Sequence, residues 1–176
     1  MNIWKDVAQN RVMPHDFLAV IEIPKGCKNK YELDKETGFL ILDRVLYTST
    51  HYPANYGFIP LTYADDKDPL DVLVLCSENI VPLSLVRCYP IGVMAMIDDG
   101  AFDYKIVAIP YGDPSYNYMR DIDDLPHHIM DEIRHFFTVY KNLEHKVTAV
   151  LETMGRARAE EIIEESLRNF RDRYGD

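Results

Sequence analysis

Seven residues constrain this chain more than any others. Asp65-Asp66-Lys67-Asp68-Pro69-Leu70-Asp71 puts four carboxylates into one short segment that runs into the apolar stretch Val72-Leu73-Val74-Leu75. A proline disfavours helical backbone at the residue before it, so Asp68 is expected to be extended. Alternate residues of an extended segment share a face, which puts Asp66 and Asp68 on one side and Lys67 on the other. Asp71 then opens a strand, where a rigid backbone holds its carboxylate still. Acids gathered this closely repel one another unless cations stand between them. Carboxylate oxygens are hard ligands, so magnesium, manganese or calcium suits them. A solvated turn has the same composition, and the segment alone is therefore only a candidate metal site. An EF-hand does not fit, because the sixth position is Asp71 rather than glycine and the twelfth, counted from Asp66, is Ser77 rather than glutamate.

The rest of the chain narrows the class. Its 176 residues are enough for one domain with a sizeable core, read as a single unit over 1–176. Hydrophobic residues at 47% and charged residues at 27% are ordinary for a soluble globular protein. A net charge of −10 argues against a general binder of nucleic acid or anionic membrane, since both need a basic surface. Met1–Asp6 carries no apolar signal-peptide core, and no apolar run approaches a membrane span. Cys27, Cys76 and Cys88 are odd in number and form no C-x-x-C pair, so reduced thiols and a cytoplasmic location are expected.

In chain order, Phe17–Ile23 reads as a strand broken by Pro24 and Gly26. Tyr31–Leu33 is a short strand, and Asp34–Gly38 a hairpin turn into a strand over Phe39–Tyr47 with Arg44 inside it. His51–Gly57 reads as a loop, Phe58–Pro60 as extended, and Asp71–Cys76 as a strand. Leu85–Ile97 is a long strand bent around Pro90 and Gly92, as at a barrel corner. Asp98-Asp99-Gly100 turns the chain into a strand over Asp103–Pro110. Apolar residues from Ile129 to Leu143 recur at helical spacing, predicting a helix over Leu125–Leu143 with Asp123 or Asp124 as N-cap and Pro126 in its first turn. Ala159, Ile162, Ile163, Leu167 and Phe170 predict a second helix. Strands at regular spacing, joined by hairpin turns and followed by two helices, point to an α+β fold, a closed or nearly closed antiparallel barrel with helical cover. The glycine-rich dinucleotide loop, the P-loop, the G-x-S-x-G elbow and H-E-x-x-H are all missing.

A second acidic group, Asp98-Asp99 with Asp103 and Lys105, flanks the later turn. Two carboxylate groups at strand ends of a small barrel could cage several metal ions together. Lys30, Arg44 and Lys141, with Tyr52, Tyr56 and Tyr140, lie in or beside predicted elements rather than in tails. Each is unremarkable singly, but a guanidinium inside the apolar strand FLILDRVLY needs an anionic partner. Carboxylates with magnesium on one side and Arg, Lys and Tyr donors on the other suit an oxygen-rich anion such as a phosphoanhydride.

These residues carry a resemblance. Asp66-Lys67-Asp68-Pro69-Leu70-Asp71-Val72 resembles the signature of the soluble family I inorganic pyrophosphatases. The likeness extends through Val20–Pro24, Lys30–Lys35, Asp43-Arg44, Tyr52-Pro53, Asn55–Gly57 and His135–Lys141, roughly residues 15 to 145, and the length is similar to that of the short prokaryotic form. It implies a five-stranded OB-like barrel with additional strands and two main helices, several Mg2+ ions per active site, and hydrolysis of pyrophosphate to two phosphates. By position, Asp66, Asp71 and Asp103 would hold the metals flanking the nucleophilic water, and Asp68 would take its proton. Asp98 and Glu32 would help bind further magnesium that arrives with substrate. Lys30, Arg44, Tyr56, Lys105, Tyr140 and Lys141 would contact the phosphates, Arg44 and Tyr56 as part of the catalytic set. Glu22 and Tyr52 would stand behind them. The resemblance also implies a homohexamer. Two positions depart from the family pattern: Lys67 replaces a small or acidic residue, and Asp99 stands where glutamate is common.

Two other readings fit parts of the chain. A non-catalytic OB-type module could stack single-stranded nucleic acid on its tyrosines, against which the net charge and the twin acid clusters count. A structural calcium-binding domain would use the same acids without turnover.

Overall fold

The computed structural model describes residues 2–175. Its strands are β1 (Val12–Met13), β2 (Asp16–Ile23), β3 (Asn29–Leu33), β4 (Leu40–Val45), β5 (Asn55–Phe58), β6 (Asp71–Val74), β7 (Leu85–Asp98), β8 (Ala101–Pro110) and β9 (Thr148–Gly155). The helices are α1 (His127–Val139) and α2 (Arg156–Tyr174). Among them, β2, β5, β6, β8 and β7 pair in that order, and β7 pairs back onto β2, closing a five-stranded ring. This is the expected OB-like barrel, with β1 and β9 added at its edges and β3–β4 standing apart as a separate hairpin. Four ring pairings are antiparallel; β6–β8 is parallel. The reason is the tight turn after β7, which sends β8 back between β7 and β6, so that β8 runs in the direction of β6.

The runs that lack polar alternation are explained by cover on both faces. Val72 and Val74 of β6, with Ile106 and Ala108 of β8, pack in the core that holds Ala159, Ile163 and Phe170 of α2. The intervening Leu73, Val107 and Ile109 pack in a second core with Ile133, Phe136 and Phe137 of α1. Strand β7 serves both halves of the molecule. Its Leu85–Cys88 end pairs with β2 and its Gly92–Asp98 end with β9, while β8 runs alongside from Cys88 to Asp98 with the register slipping between Pro90 and Gly92. Pro90 has no N–H to give a ladder, so the corner falls there.

Several boundaries differ from the sequence reading. The loop expected over His51–Gly57 already contains most of β5, because Gly57 lets β5 close onto β2: a Cβ there would lie 1.8 Å from the Val20 carbonyl oxygen. Strand β4 is shorter than Phe39–Tyr47, and it is not buried, since Ile41, Leu42 and Val45 are exposed. Helix α1 begins after Pro126, which occupies its N-cap position. Asp121 and Asp124 instead form a capping box on the preceding 3₁₀ turn Ile122–Asp124, and extended Leu125 separates the two. The helix stops at Val139 and a 3₁₀ turn, Asn142–Glu144, follows. Strand β9 had no counterpart in the sequence reading. Among the described residues no helix is long and apolar enough to cross a membrane.

Candidate active site

The barrel gathers its polar residues into one cleft of about 320 Å³. Alternation along β8 puts Asp103 and Lys105 on one face, and the parallel register sets Lys105 opposite Asp71 at the start of β6. Lys105 is only 2% exposed. Its Nζ donates to Asp71 Oδ2 at 2.9 Å, to Asp103 Oδ2 at 3.0 Å and to the Tyr56 hydroxyl at 3.0 Å. Burial works against the charged amine, but Asp103 and Asp71 outweigh it and hold its pKa well above the ordinary lysine range. Burial, opposed by Lys105 and reinforced by Asp71, pushes the Asp103 carboxyl up to about 6.

The second acidic group arrives from the end of β7. Asp98 accepts from Lys141 Nζ at 2.7 and 2.8 Å and from the Tyr140 hydroxyl at 3.3 Å, which ties the exit of α1 to the rim of the barrel. From the hairpin, β3 contributes Lys30 and Glu32, which pair with each other. Glu22, on β2, lies at the base of the cleft and accepts from the Leu33 backbone N–H at 2.8 Å. Burial nevertheless pushes its carboxyl up to about 8.

The Asp65–Asp71 segment reaches the cleft by a route the sequence reading missed. Lys67 is left-handed at φ 70°, and the Ala64 and Asp68 backbones bond across it, so the segment is a turn and not an extended run. Asp66 and Asp68 still line the same cleft, with the Asp68 N–H donating to Asp66 Oδ1 at 3.0 Å. Partial desolvation, with Asp71 and Asp68 nearby, raises the Asp66 carboxyl above its ordinary range.

Two expected site residues stand outside the lining. Tyr52 is buried behind Tyr56, ring centroids 5.3 Å apart, and burial raises its hydroxyl pKa. Arg44 has its anionic partners elsewhere: Nη1 stands 2.5 Å from Asp43 Oδ2 and Nε 2.7 Å from Glu144 Oε1. The Nε contact lacks hydrogen-bond alignment, and Arg44 Nη2 and Glu144 Oε2 are buried without a hydrogen-bond partner among the described residues. Asp99 lies in the exposed turn at φ 53°, away from the lining. Conversely, Trp4 and Lys35 line the cleft without having been singled out. Lys35 sat within the matching stretch Lys30–Lys35; nothing local to Trp4 marks it.

The donor set suits a hard cation. Asp66, Asp71, Asp98 and Asp103 offer only carboxylate oxygen, and the proton affinity of Asp66 and Asp103 is raised, first by burial and then by the neighbouring carboxylates. As they stand, no three acids among the described residues converge on one point, because the Lys105 ammonium separates Asp71 from Asp103.

The model of the inorganic pyrophosphatase family matches residues 19–171, a span that includes every cleft residue except Trp4. The chain belongs to the inorganic pyrophosphatase family. It is 46% identical to soluble inorganic pyrophosphatase 2 of Chlamydomonas reinhardtii, over 97% of this chain and 89% of that protein. It is 41% identical to the inorganic pyrophosphatase of Haloferax volcanii, over 99% of each. The crystal structure of the Thermus thermophilus inorganic pyrophosphatase superposes with a TM-score of 0.92 at 34% identity, over 97% of this chain and 99% of that one. Family membership makes the chain an enzyme, a hydrolase of the inorganic diphosphatase class.

Proposed function

We propose that this chain hydrolyses pyrophosphate to two phosphates using magnesium ions held by Asp66, Asp71 and Asp103, with Asp98 and Glu32 binding further ions that enter with the substrate. The observation that carries the reading is the alternation of carboxylates and ammonium groups around one cleft in a member of this family. Magnesium supplies charge neutralisation of the phosphate oxygens and acidifies a water.

The residues do the rest. Lys30, Lys105 and Lys141 release their carboxylate partners to bind the substrate's oxygens, and Tyr56 and Tyr140 orient the same oxygens with their hydroxyls. Arg44 joins them from the edge of the hairpin, with Tyr52 fixing Tyr56 from behind and Glu22 holding the backbone of β3. A water oxygen attacks one phosphorus, its proton passes to the Asp68 carboxylate, and the second phosphate leaves as the bridging bond breaks. Asp68 suits the role because its side chain is 57% exposed and open to water. The free thiols of Cys27, Cys76 and Cys88 support a cytoplasmic location. Exposed Phe39, Ile41 and Val45 on the hairpin support a homo-oligomer, a hexamer by likeness to the short prokaryotic form.

Asp68→Asn tests the assignment. It keeps shape and removes the base, so kcat is expected to fall by about 10²–10⁴ with the fold and magnesium binding intact. Retention of more than about a tenth of the wild-type rate overturns it.

A further inference from the structure

Lys35 belongs to the hairpin turn between β3 and β4, yet its ammonium reaches Asp68 Oδ1. Among the described residues it is the only side chain bonded to that carboxylate. The same ammonium stands 4.9 Å from the centroid of the Trp4 ring, and the Lys35 carbonyl accepts from Asn2 Nδ2 at 3.1 Å. Trp4 is itself fixed. It is 3% exposed, its Nε1 donates to the Thr62 carbonyl at 2.9 Å, and its own carbonyl accepts from the Leu61 N–H at 2.9 Å. Its ring meets Phe170 and Tyr174 of α2 edge-on at 6.0 and 5.6 Å. The two ends of the chain thus build a rigid aromatic wall for a cleft whose carboxylates all come from elsewhere.

Asp68 needs such support. It is largely exposed and follows a left-handed residue in a turn, so its own backbone does little to select a rotamer. A cation resting on an indole face is attracted to the ring, and its flexible stem is confined by that contact. We infer that Lys35, seated on Trp4, is a positioning residue for Asp68, which rests on Asp68 being the base of the reaction. Through this contact the packing of the N-terminal segment on α2 sets how often the base is aimed at its water. Lys5 provides an internal comparison: its Nζ stands 5.1 Å from the Trp4 ring and 3.7 Å from that of Tyr174, but it does not line the cleft.

The test is a kinetic cycle on the full chain with magnesium and pyrophosphate. Lys35→Met is expected to lower kcat about five- to tenfold with KM within about twofold, and Lys35→Arg to recover most of the loss. Lys5→Met should change neither constant by more than about twofold. Introducing Lys35→Met into Asp68→Asn should cost nothing further, because the group it positions is gone. Trp4 is the sole tryptophan of the chain, so its emission reads the ammonium on its face without any turnover. Lys35→Met and Asp68→Asn should each shift that emission, and the double variant should match Lys35→Met. A rise in KM alone, or the same loss from Lys35→Met in both backgrounds, overturns the inference and makes Lys35 a phosphate contact or a structural group. Full activity in Asp68→Asn overturns the base assignment instead, and a loss confined to Lys35→Met would then sink the positioning role as well.

Discussion

Glu22 shows how strongly this cleft acts on a single acid. Its residue is 8% exposed, and burial pushes its carboxyl from the ordinary 4.5 up to about 8. The folded chain therefore keeps a proton that the unfolded chain has released above pH 4.5. Whatever stability this proton carries is full below about 4.5 and is lost as pH rises towards 8. Glu22→Gln retains an acceptor for the Leu33 N–H and abolishes the titration. In metal-free urea unfolding the two proteins should match near pH 4.5, and by pH 8 the variant should be more stable by roughly 2–4 kcal/mol. A difference that does not change with pH contradicts the burial account. At this scale the sequence was informative where neighbours in the chain are neighbours in the site, as with Asp66, Asp68 and Asp71, or Asp103 and Lys105. It was silent on pairs made only by folding. Glu144 gave no sign that it would face Arg44, nor Trp4 that it would lie under Lys35. The left-handed Lys67 was hidden too, because Pro69 constrains only the residue before it.

Elements were legible where burial leaves a pattern. Strands β2, β6 and β8 are buried along most of their length and read as apolar runs, and α1 and α2 show helical spacing. Strand β9 lacks such a pattern: of its eight residues only Thr148 is buried, since it lies at the sheet edge against β7 alone. Strand β4 misled in the opposite way, being apolar in sequence and exposed in the fold. The cap of α1 was misplaced because Asp121 and Asp124 satisfy each other's backbone one turn too early. The pairing of β5 with β2 hinges on Gly57, where an added Cβ would also meet the Val20 carbonyl carbon at 2.8 Å and Ile21 Cα at 3.0 Å. Those are backbone atoms and cannot rotate away. Gly57→Ala should therefore destabilise the protein by more than about 3 kcal/mol in chemical denaturation, and Tyr56, next in β5, should lose its place beside Lys105. A loss under about 1 kcal/mol would show that the two strands can part at little cost.

On the scale of the molecule, the closed ring brings together acids that are far apart in the chain. Asp71 and Asp103 come from neighbouring strands in parallel register, and Asp98 from the end of β7, beside the turn that makes that register parallel. The sequence suggested a closed or nearly closed antiparallel barrel but not which strands close it or that one pairing is parallel, because the pairing of β7 with β2 joins segments about seventy residues apart with no local signal. A chain of net charge −10 nonetheless aims Lys30, Lys35, Lys105 and Lys141 into this one cleft, each already paired with an acid. That arrangement is ready to trade carboxylate–lysine pairs for carboxylate–metal and lysine–phosphate pairs. Phosphate release from pyrophosphate by the purified chain measures the trade most directly, in magnesium, after chelation, and after magnesium is restored. Release should depend on magnesium, stop with the chelator and return with the ion. Undiminished release in the chelator, or no release by folded protein with magnesium present, would contradict it.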